Sequence, residues 1–337
     1  KARMAEQVAT FPAKYGRVPH LVVILVGDDP GSQTYVRNKA KACDVVGIRN
    51  TTVRMPADTP EQVLLDKIAE LKPALAVWNG DACNTQETID SLMQIFLNPG
   101  ISRKDYASEI PFCLVPGNHD QRGLACRHLE RVFMFRQPEE RLSRDWDLGR
   151  NFAFRLGDIA LVGLDTGEDK PDGRDVFAGL FNNEAYRVAQ TAWLADALER
   201  PEIKSAPYLV AFCHIPLFDP RPWANPGGTY DNCCGKYQHD FAIWEKSCAE
   251  LWGPLFKRHG VQLLIAAHQH EYRYDAPAAD RPWAQIVGGG CEMPKDIAYR
   301  FPTVIEGTVE GGRLKIVVHN IKTGSVQAVH EIAASRL

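Results

Sequence analysis

The stretch "IPFCLVPGNHD" (Ile110–Asp120) joins an apolar run to a polar ending. The apolar run predicts a buried strand, and the Pro-Gly pair that follows marks its end. Asn118 and His119 therefore stand directly after a strand, where side chains of a site are often placed. Gly-Asn pairs also form ordinary turns, so this stretch alone leaves a turn and a site as alternatives.

Three other apolar runs end in the same way. "ALAVWNGD" ends on Asp81, "YLVAFCH" ends on His214, and "VQLLIAAHQH" ends on His268 and His270. Taken singly, a Gly-Asp pair is typical of a turn and a lone histidine is typical of a core. In α/β folds, however, ligands bind at the carboxyl ends of parallel strands. The joint pattern therefore predicts a metal site where these strand ends meet.

The donor types indicate the chemistry of this predicted site. Imidazole and carboxylate ligands without thiolate suit Zn, Fe or Mn. Asp81 has two oxygens and can bridge two ions, and His268 and His270 point to the same side of an extended segment because they are two positions apart. Two ions about 3.5–4 Å apart can hold a hydroxide and clamp a phosphate.

From about residue 72 onward, the order of these motifs resembles the calcineurin-like metallophosphoesterase family, which includes the purple acid phosphatases. "GDAC" stands for the family's G-D-x-x, "GNHD" for G-N-H-[D/E], and "AHQH" for G-H-x-H, with Ala267 in place of the usual glycine. The resemblance implies an α/β fold, a sandwich of two mixed β-sheets flanked by helices. It also implies hydrolysis of a phosphate ester through a metal-bound hydroxide, with divalent or trivalent Mn, Fe or Zn as cofactor.

The resemblance further assigns roles to individual residues. The metal ligands that it implies are Asp81, Asn118, His214, His268 and His270. Asp81 would bridge two ions, with Asn118, His214 and His268 on one ion and His270 on the other. His119 would protonate the leaving oxygen or stabilise its charge, and Asp120 would orient the His119 ring. Asp165 in "GLDTG" also fits the family, although a structural role is the alternative.

The family's first motif, D-x-H, does not occur before Asp81. Asp29 in "ILVGDDPG" is the tentative replacement, because Asp29-Pro30-Gly31 resembles the D-x-G variant of purple acid phosphatases. Those enzymes carry a tyrosine where Asn84 stands here, and a turn is the favoured interpretation of the Asp29 stretch. We therefore expect either an enzyme with one ion or a weakened pair of ions, or a catalytically impaired, phosphatase-like metal-binding protein.

The beginning of the chain resembles a different family. "VPHLVVILVGDDPGSQTYVRNKAKACDVVGI" and "MPADTPEQVLLDKIAELK" are similar to the N-terminal part of the bifunctional methylenetetrahydrofolate dehydrogenase/cyclohydrolase, an α-β-α-β-α segment. That family's Tyr-x-x-x-Lys pair falls on Tyr35 and Lys39, so Lys39 would be its catalytic cation and Tyr35 would shape the folate pocket. We expect a folate-type segment over 1–72 and a phosphoesterase domain over 73–337, with a fragment of a folate enzyme as a further alternative.

Composition narrows the possible partners. The net charge of −3 gives no signal for nucleic-acid binding, which usually needs a basic excess. No apolar run of about 18 residues predicts a membrane span. Nine scattered cysteines, an odd number, favour a reducing compartment, and hence the cytoplasm. The expected partner is a small-molecule or protein phosphate ester.

Overall fold

The computed structural model describes residues 20–26, 49–55, 66–68, 70–82, 85–90, 110–129, 146, 148–173, 182–220, 238–290 and 301–334. The chain divides into two units, one of Lys1–Glu70 with Gly100–Lys104 and one of Leu71–Pro99 with Asp105–Leu337. Asp29, Tyr35 and Lys39 lie outside the described residues, so their roles stay predictions. The domain limits expected from the sequence, 1–72 and 73–337, also stay predictions.

The first unit contains two described strands, β1 (His20–Val26) and β2 (Arg49–Met55). They pair in parallel along their full length, from His20 opposite Arg49 to Val26 opposite Met55. A parallel pair requires a crossover connection, which agrees with the strand-helix-strand pattern of the sequence.

The strands of the second unit begin with a separate parallel pair, β3 and β4, and continue through two larger sheets. They are β3 (Ala76–Trp78), β4 (Phe112–Leu114), β5 (Phe152–Leu156), β6 (Ile159–Leu164), β7 (Tyr208–Cys213), β8 (Leu263–Ala266), β9 (Arg273–Asp275), β10 (Ala284–Val287), β11 (Thr303–Glu310), β12 (Arg313–Asn320) and β13 (Ser325–Ala333).

The six-stranded sheet has the order β5-β6-β7-β8-β10-β9. Its four inner strands are parallel, and β5 and β9 run antiparallel at the two edges. All six residues of β7 are buried, as expected for a central strand covered on both faces. The carboxyl ends of β6, β7 and β8 consequently lie side by side.

Helices cover one face of this sheet: α1 (Asn183–Glu199), α2 (Pro201–Lys204) and α3 (Gln238–His259). Trp193 of α1 and Trp252 and Phe256 of α3 belong to one buried cluster with Leu164 and Ala211 of the sheet. Burying each of these large side chains stabilises the fold by about 1.5–3 kcal/mol. Within the described part of the chain, no helix has both the length and the apolar character needed to cross a membrane.

The antiparallel sheet β11-β12-β13 covers the opposite face. Leu314 and Ile316 of β12 alternate with less buried residues and pack with Phe152 and Val210 of the six-stranded sheet. Packing of sheet on sheet with helices outside confirms the α/β sandwich expected from the sequence. Within this sheet, β11 pairs antiparallel with β12, and β12 with β13.

The short pair β3-β4 is joined to the centre of the large sheet by a side chain. Asn79, just after β3, donates from Nδ2 to the carbonyl oxygens of Cys213 (3.1 Å) and Ile265 (3.2 Å). Cys213 is the last residue of β7, and Ile265 is the last but one residue of β8. The carboxyl ends of β3, β4, β7 and β8 therefore meet, which brings their loops into one region.

Candidate metal centre

Three of the predicted ligands form a compact group at these strand ends. Donor atoms of Asp81, His214 and His268 all lie within 4.8 Å of one another. Nε2 of His214 is 3.0 Å from Oδ2 of Asp81, and Nδ1 of His268 is 3.1 Å from Oδ1 of Asn118. The structure thus places four of the five predicted ligands together, from loops that are far apart in the sequence.

The backbone of this region adopts unusual conformations. Asp81, His268 and His270 have positive φ angles of 54°, 66° and 54°. The left-handed region is uncommon for residues with a side chain and is enriched at functional sites, where surrounding contacts maintain it. These three residues are therefore held in place at a cost in backbone energy.

Two glycines allow the β3 and β4 loops to touch. A Cβ on Gly80 would lie 2.4 Å from Nδ1 of His214, and a Cβ on Gly117 would lie 2.2 Å from Oδ1 of Asp81. Both separations are too short for real atoms, so any side chain would push the site residues apart. The Gly in each of "GD" and "GNHD" is thus required by the close approach.

Asp120 fastens the same two loops together. Its buried carboxylate accepts N–H bonds from Gly117 (2.9 Å), Asp81 (2.8 Å) and Ala82 (3.2 Å). Burial raises the pKa of Asp120 to about 6, although the Gly117 N–H favours the charged form. Both carboxylate oxygens are bonded to the backbone, and the predicted role of Asp120 in orienting the His119 ring stays a prediction.

The orientation of His214 suits a cation. Its Nδ1 lies 2.7 Å from the carbonyl oxygen of Asn79, which can only accept, so Nδ1 carries the hydrogen. In the neutral ring, Nε2 then carries the lone pair, and it is buried 3.0 Å from Oδ2 of Asp81. Two acceptors this close repel each other unless a proton or a metal ion lies between them.

The charge states agree with this geometry. Burial opposes a proton on His214, but the Asp81 carboxylate outweighs it and raises the pKa of His214. Burial also works against ionised Asp81, yet His214 and His268 hold its pKa well below the usual range. Burial, with repulsion from His214, lowers the pKa of His268 to about 3. The site therefore contains a carboxylate, a neutral imidazole and an imidazole that takes up positive charge.

His268 uses the opposite nitrogen. Its Nδ1 faces Asn118, and its Nε2 lies 3.7 Å from Oδ2 of Asp169. Histidines that bind metals usually direct the second ring nitrogen to a carboxylate or a carbonyl. His214 with Asn79 follows this arrangement, whereas Asp169 is near Nε2 of His268 but beyond hydrogen-bond distance. The residues present therefore fit one ion of the Zn, Mn or Fe class.

His270 lies apart from the group. Among the described residues, it does not join Asp81, His214 and His268 as a donor within 4.8 Å. Its ring lies against the loop after β10, where a Cβ on Gly290 would be 3.1 Å from Cδ2 of His270. Its role as ligand of a second ion, like that of Asp29, stays a prediction.

Sequence reasoning missed the loop after β6. Asp169 contacts both Asn118 (3.5 Å) and His268 (3.7 Å), and Glu168 is paired with Arg122 of the β4 loop. The sequence feature that could have predicted this loop as part of the site is the apolar run of β6 followed by acidic residues, "LVGLDTGEDK". A parallel neighbour of β7 must end at the same edge of the sheet.

Asp165 in this loop has a supporting position. It is buried and accepts hydrogen bonds from Nε2 of Gln121 (2.7 Å) and the N–H of Gly167 (2.9 Å). Gln121 belongs to the 3₁₀ turn that starts at His119. Asp165 therefore links the loop after β6 to the "GNHD" segment, which agrees with a structural role for Asp165.

Comparison with known proteins identifies the larger part of the chain. Residues 58–272 match the calcineurin-like phosphoesterase family model, which is more than half of the sequence. The chain belongs to the calcineurin-like phosphoesterase family. Residues 1–77 match the catalytic domain of tetrahydrofolate dehydrogenase/cyclohydrolase, so the chain is chimeric, with the two matches overlapping over 58–77. Both resemblances expected from the sequence are confirmed.

Two curated relatives match a short part of the chain. The bifunctional protein FolD of Chlorobium phaeobacteroides is 51% identical over 77 residues, which are 23% of this chain and 26% of that protein. FolD of Desulfovibrio desulfuricans is 44% identical over 102 residues, 30% of this chain and 32% of that protein. The chain spans about a quarter of the length of the first of these relatives.

Among solved structures, "GAP50 the anchor in the inner membrane complex of Plasmodium" superposes with a TM-score of 0.52. The superposition covers 82% of this chain and 83% of that one, at 13% sequence identity. At this identity the likeness shows a shared fold alone.

Proposed function

We propose that this protein hydrolyses phosphate esters with at least one metal ion held by Asp81, Asn118, His214 and His268. The observation that carries the proposal is the convergence of donor atoms of Asp81, His214 and His268 within 4.8 Å of one another, with Nε2 of His214 3.0 Å from the Asp81 carboxylate. Membership of the phosphoesterase family supports the same conclusion.

A bound ion of this class polarises a phosphoryl oxygen and lowers the pKa of a bound water. The protein's own contribution is positioning. Asp81 is fixed because its Oδ1 accepts the backbone N–H of His119 at 2.9 Å. His214 is fixed by the Asn79 carbonyl, and Asn118 contacts both His268 and Asp169. Donors held in this way lose little conformational freedom when an ion binds.

His119 is the group best placed to act on the substrate. Its backbone binds Asp81, so its ring stands beside the donor group rather than within it, and it is only partly buried. An imidazole next to a phosphate can give a proton to the leaving oxygen and accelerate the reaction about 10²–10⁴-fold. We assign His119 this role.

The test combines metal content with activity. The purified protein is incubated with Zn, Mn or Fe, dialysed, and analysed for metal by elemental analysis and for release of p-nitrophenol from p-nitrophenyl phosphate. We expect bound metal and turnover, with both lost in Asp81→Asn. Asp158→Asn is the matched control, because it is an exposed aspartate that also follows a strand in a Gly-Asp pair. Full activity in Asp81→Asn would overturn the proposal.

The catalytically impaired alternative is favoured by one observation. Asp81, His214 and His268 are the one group of three close donors among the described residues, and the family's first motif is missing. One ion per chain without turnover of any phosphate ester would support this alternative. A single ion with turnover would support the enzyme.

The folate-type segment supports a second candidate, folate binding. Its identity to FolD reaches 51%, but over only about a quarter of that protein. Tyr35 and Lys39 would provide the contacts. A thermal-shift titration with a folate analogue tests this candidate, with Lys39→Ala as the comparison. No change in melting temperature on adding the analogue would remove it.

A further inference from the structure

Arg122, two residues after "GNHD", forms a two-pronged ion pair with Glu168. Its Nε donates to one carboxylate oxygen at 3.0 Å and its terminal NH2 group donates to the other at 2.8 Å. The Glu168 side chain is only 1% exposed. A fork of this kind fixes the plane of the guanidinium group as well as its position.

The remaining nitrogen of Arg122, NH1, lies over the ring of His119. It is 3.2 Å from Nδ1 and 3.3 Å from Nε2. In the plane of the ring, a position equidistant from both nitrogens at this range would collide with ring carbons. NH1 must therefore contact the face of the imidazole, and the two nitrogen edges point elsewhere.

The support behind this contact is rigid. Arg187 of α1 is buried and donates to the carbonyl oxygens of Thr166 (2.9 Å) and Glu168 (2.6 Å). Nζ of Lys170 lies 3.4 Å from Oε1 of Glu168, the oxygen that the NH2 group of Arg122 also contacts. Hydrogen bonds therefore hold the loop after β6 against helix α1, and this fixes Glu168. The ion pair with Glu168 in turn fixes the position of Arg122.

We propose that Arg122, held by Glu168, is a positioning residue that fixes the imidazole plane of His119 toward the leaving oxygen of the substrate. This inference rests on the proposed phosphoesterase function and deepens it. Arginine is required because a lysine cannot reproduce either the fork to Glu168 or the flat contact with the ring. Asp120, by contrast, has both oxygens bonded to the backbone.

The experiment compares two phosphate esters whose leaving groups differ in whether they must be protonated to depart. An alkyl phosphate has a poor leaving group, whereas p-nitrophenolate leaves without protonation. We expect Arg122→Lys to lower kcat about 10–100-fold for the alkyl phosphate, as for other supporting residues, and by much less for p-nitrophenyl phosphate. KM and metal content should stay unchanged. In a His119→Ala background, Arg122→Lys should cause no further loss.

Equal losses for both substrates, or losses that add to those of His119→Ala, would overturn the proposal. Arg313→Lys is the matched control, because Arg313 forms an exposed 2.8 Å pair with Glu331. It should leave both rates unchanged.

A second measurement does not need activity. The ring resonances of His119, assigned by NMR, should move in Glu168→Gln and stay in place in the Arg313→Lys control. Unmoved His119 resonances in Glu168→Gln would contradict the positioning role even if Arg122→Lys fails to fold. If the wild-type protein hydrolyses neither substrate, the proposed function fails, and the resonances still decide whether Arg122 and Glu168 orient the ring.

Discussion

His268 and His270 stand two residues apart on one loop, yet their surroundings differ. His268 lies with Asp81 and His214 in a group of donors within 4.8 Å, and contacts Asn118 and Asp169 as well. His270, among the residues that the structure describes, is not a member of that group. The first histidine lies beside side chains from four other strand ends, those of β3, β4, β6 and β7, whereas the role of the second as a ligand stays a prediction.

This difference shows that a metal position is made by convergence rather than by a motif. The side chains around His268 come from loops after β3, β4, β6 and β7, all within the residues that match the phosphoesterase family model. The D-x-H motif is absent, and residues 1–77 match the folate-enzyme family model instead. We therefore expect one strong ion site and one weak or missing site.

The largest expected effect concerns His214 and His270. His214→Ala removes one of the three close donors and leaves the partly buried Asp81 carboxylate without its neighbour. Loss of a residue that only supports a ligand typically costs about 10–100-fold in metal affinity, so loss of a donor itself should cost at least that much. His270→Ala should change the affinity for the first ion far less. Competition with a chromogenic zinc chelator measures both, and equal losses would remove the distinction between the two histidines.

A smaller effect is expected from crowding the site. In Gly117→Ala the new methyl group would meet Oδ1 of Asp81 at 2.2 Å, and the loops would have to separate. Overpacking of this kind destabilises a protein by about 1–3 kcal/mol. Gly173→Ala is the control, because a Cβ there meets nothing within 4 Å. Urea unfolding of both variants without metal gives the difference, and equal stabilities would contradict the close approach.

The smallest effect is the pH dependence of metal binding. The pKa of His214 is raised, so below that pKa a proton competes with the ion for Nε2. Affinity should rise about tenfold per pH unit up to that pKa and then level off. His268, with a pKa of about 3, should add no dependence above pH 5. Calorimetry in buffers of different ionisation enthalpy should find proton release at low pH. Affinity that does not vary between pH 5 and 7 would contradict the role of His214.

Local features of the fold could be predicted well. The apolar runs that precede Asp81, Asn118, His214 and His268 predict β3, β4, β7 and β8. β9 was not predicted, because three residues carry no clear period and the strand exists only through its pairing with β10. The strand-end positions of Asp81, Asn118, His214 and His268 could also be predicted, since each follows directly on an apolar run.

Arg122 and Glu168 could not be predicted as a pair. They are 46 residues apart, and an arginine after a turn is most often solvated. Only the loop after β6, brought to the same sheet edge, places Glu168 against Arg122. Their contact with His119 depends on that placement.

The sequence by itself determined the family, the segments that become strands and helices, and the chemical types of the donors, because periodicity, turn residues and motif order are properties of neighbouring positions. The tertiary structure alone decided which donors meet, which nitrogen of each histidine faces the site, and what supports the His119 ring. Those features depend on strand order and on distances between loops that are from 38 to 150 residues apart, and no local pattern encodes them.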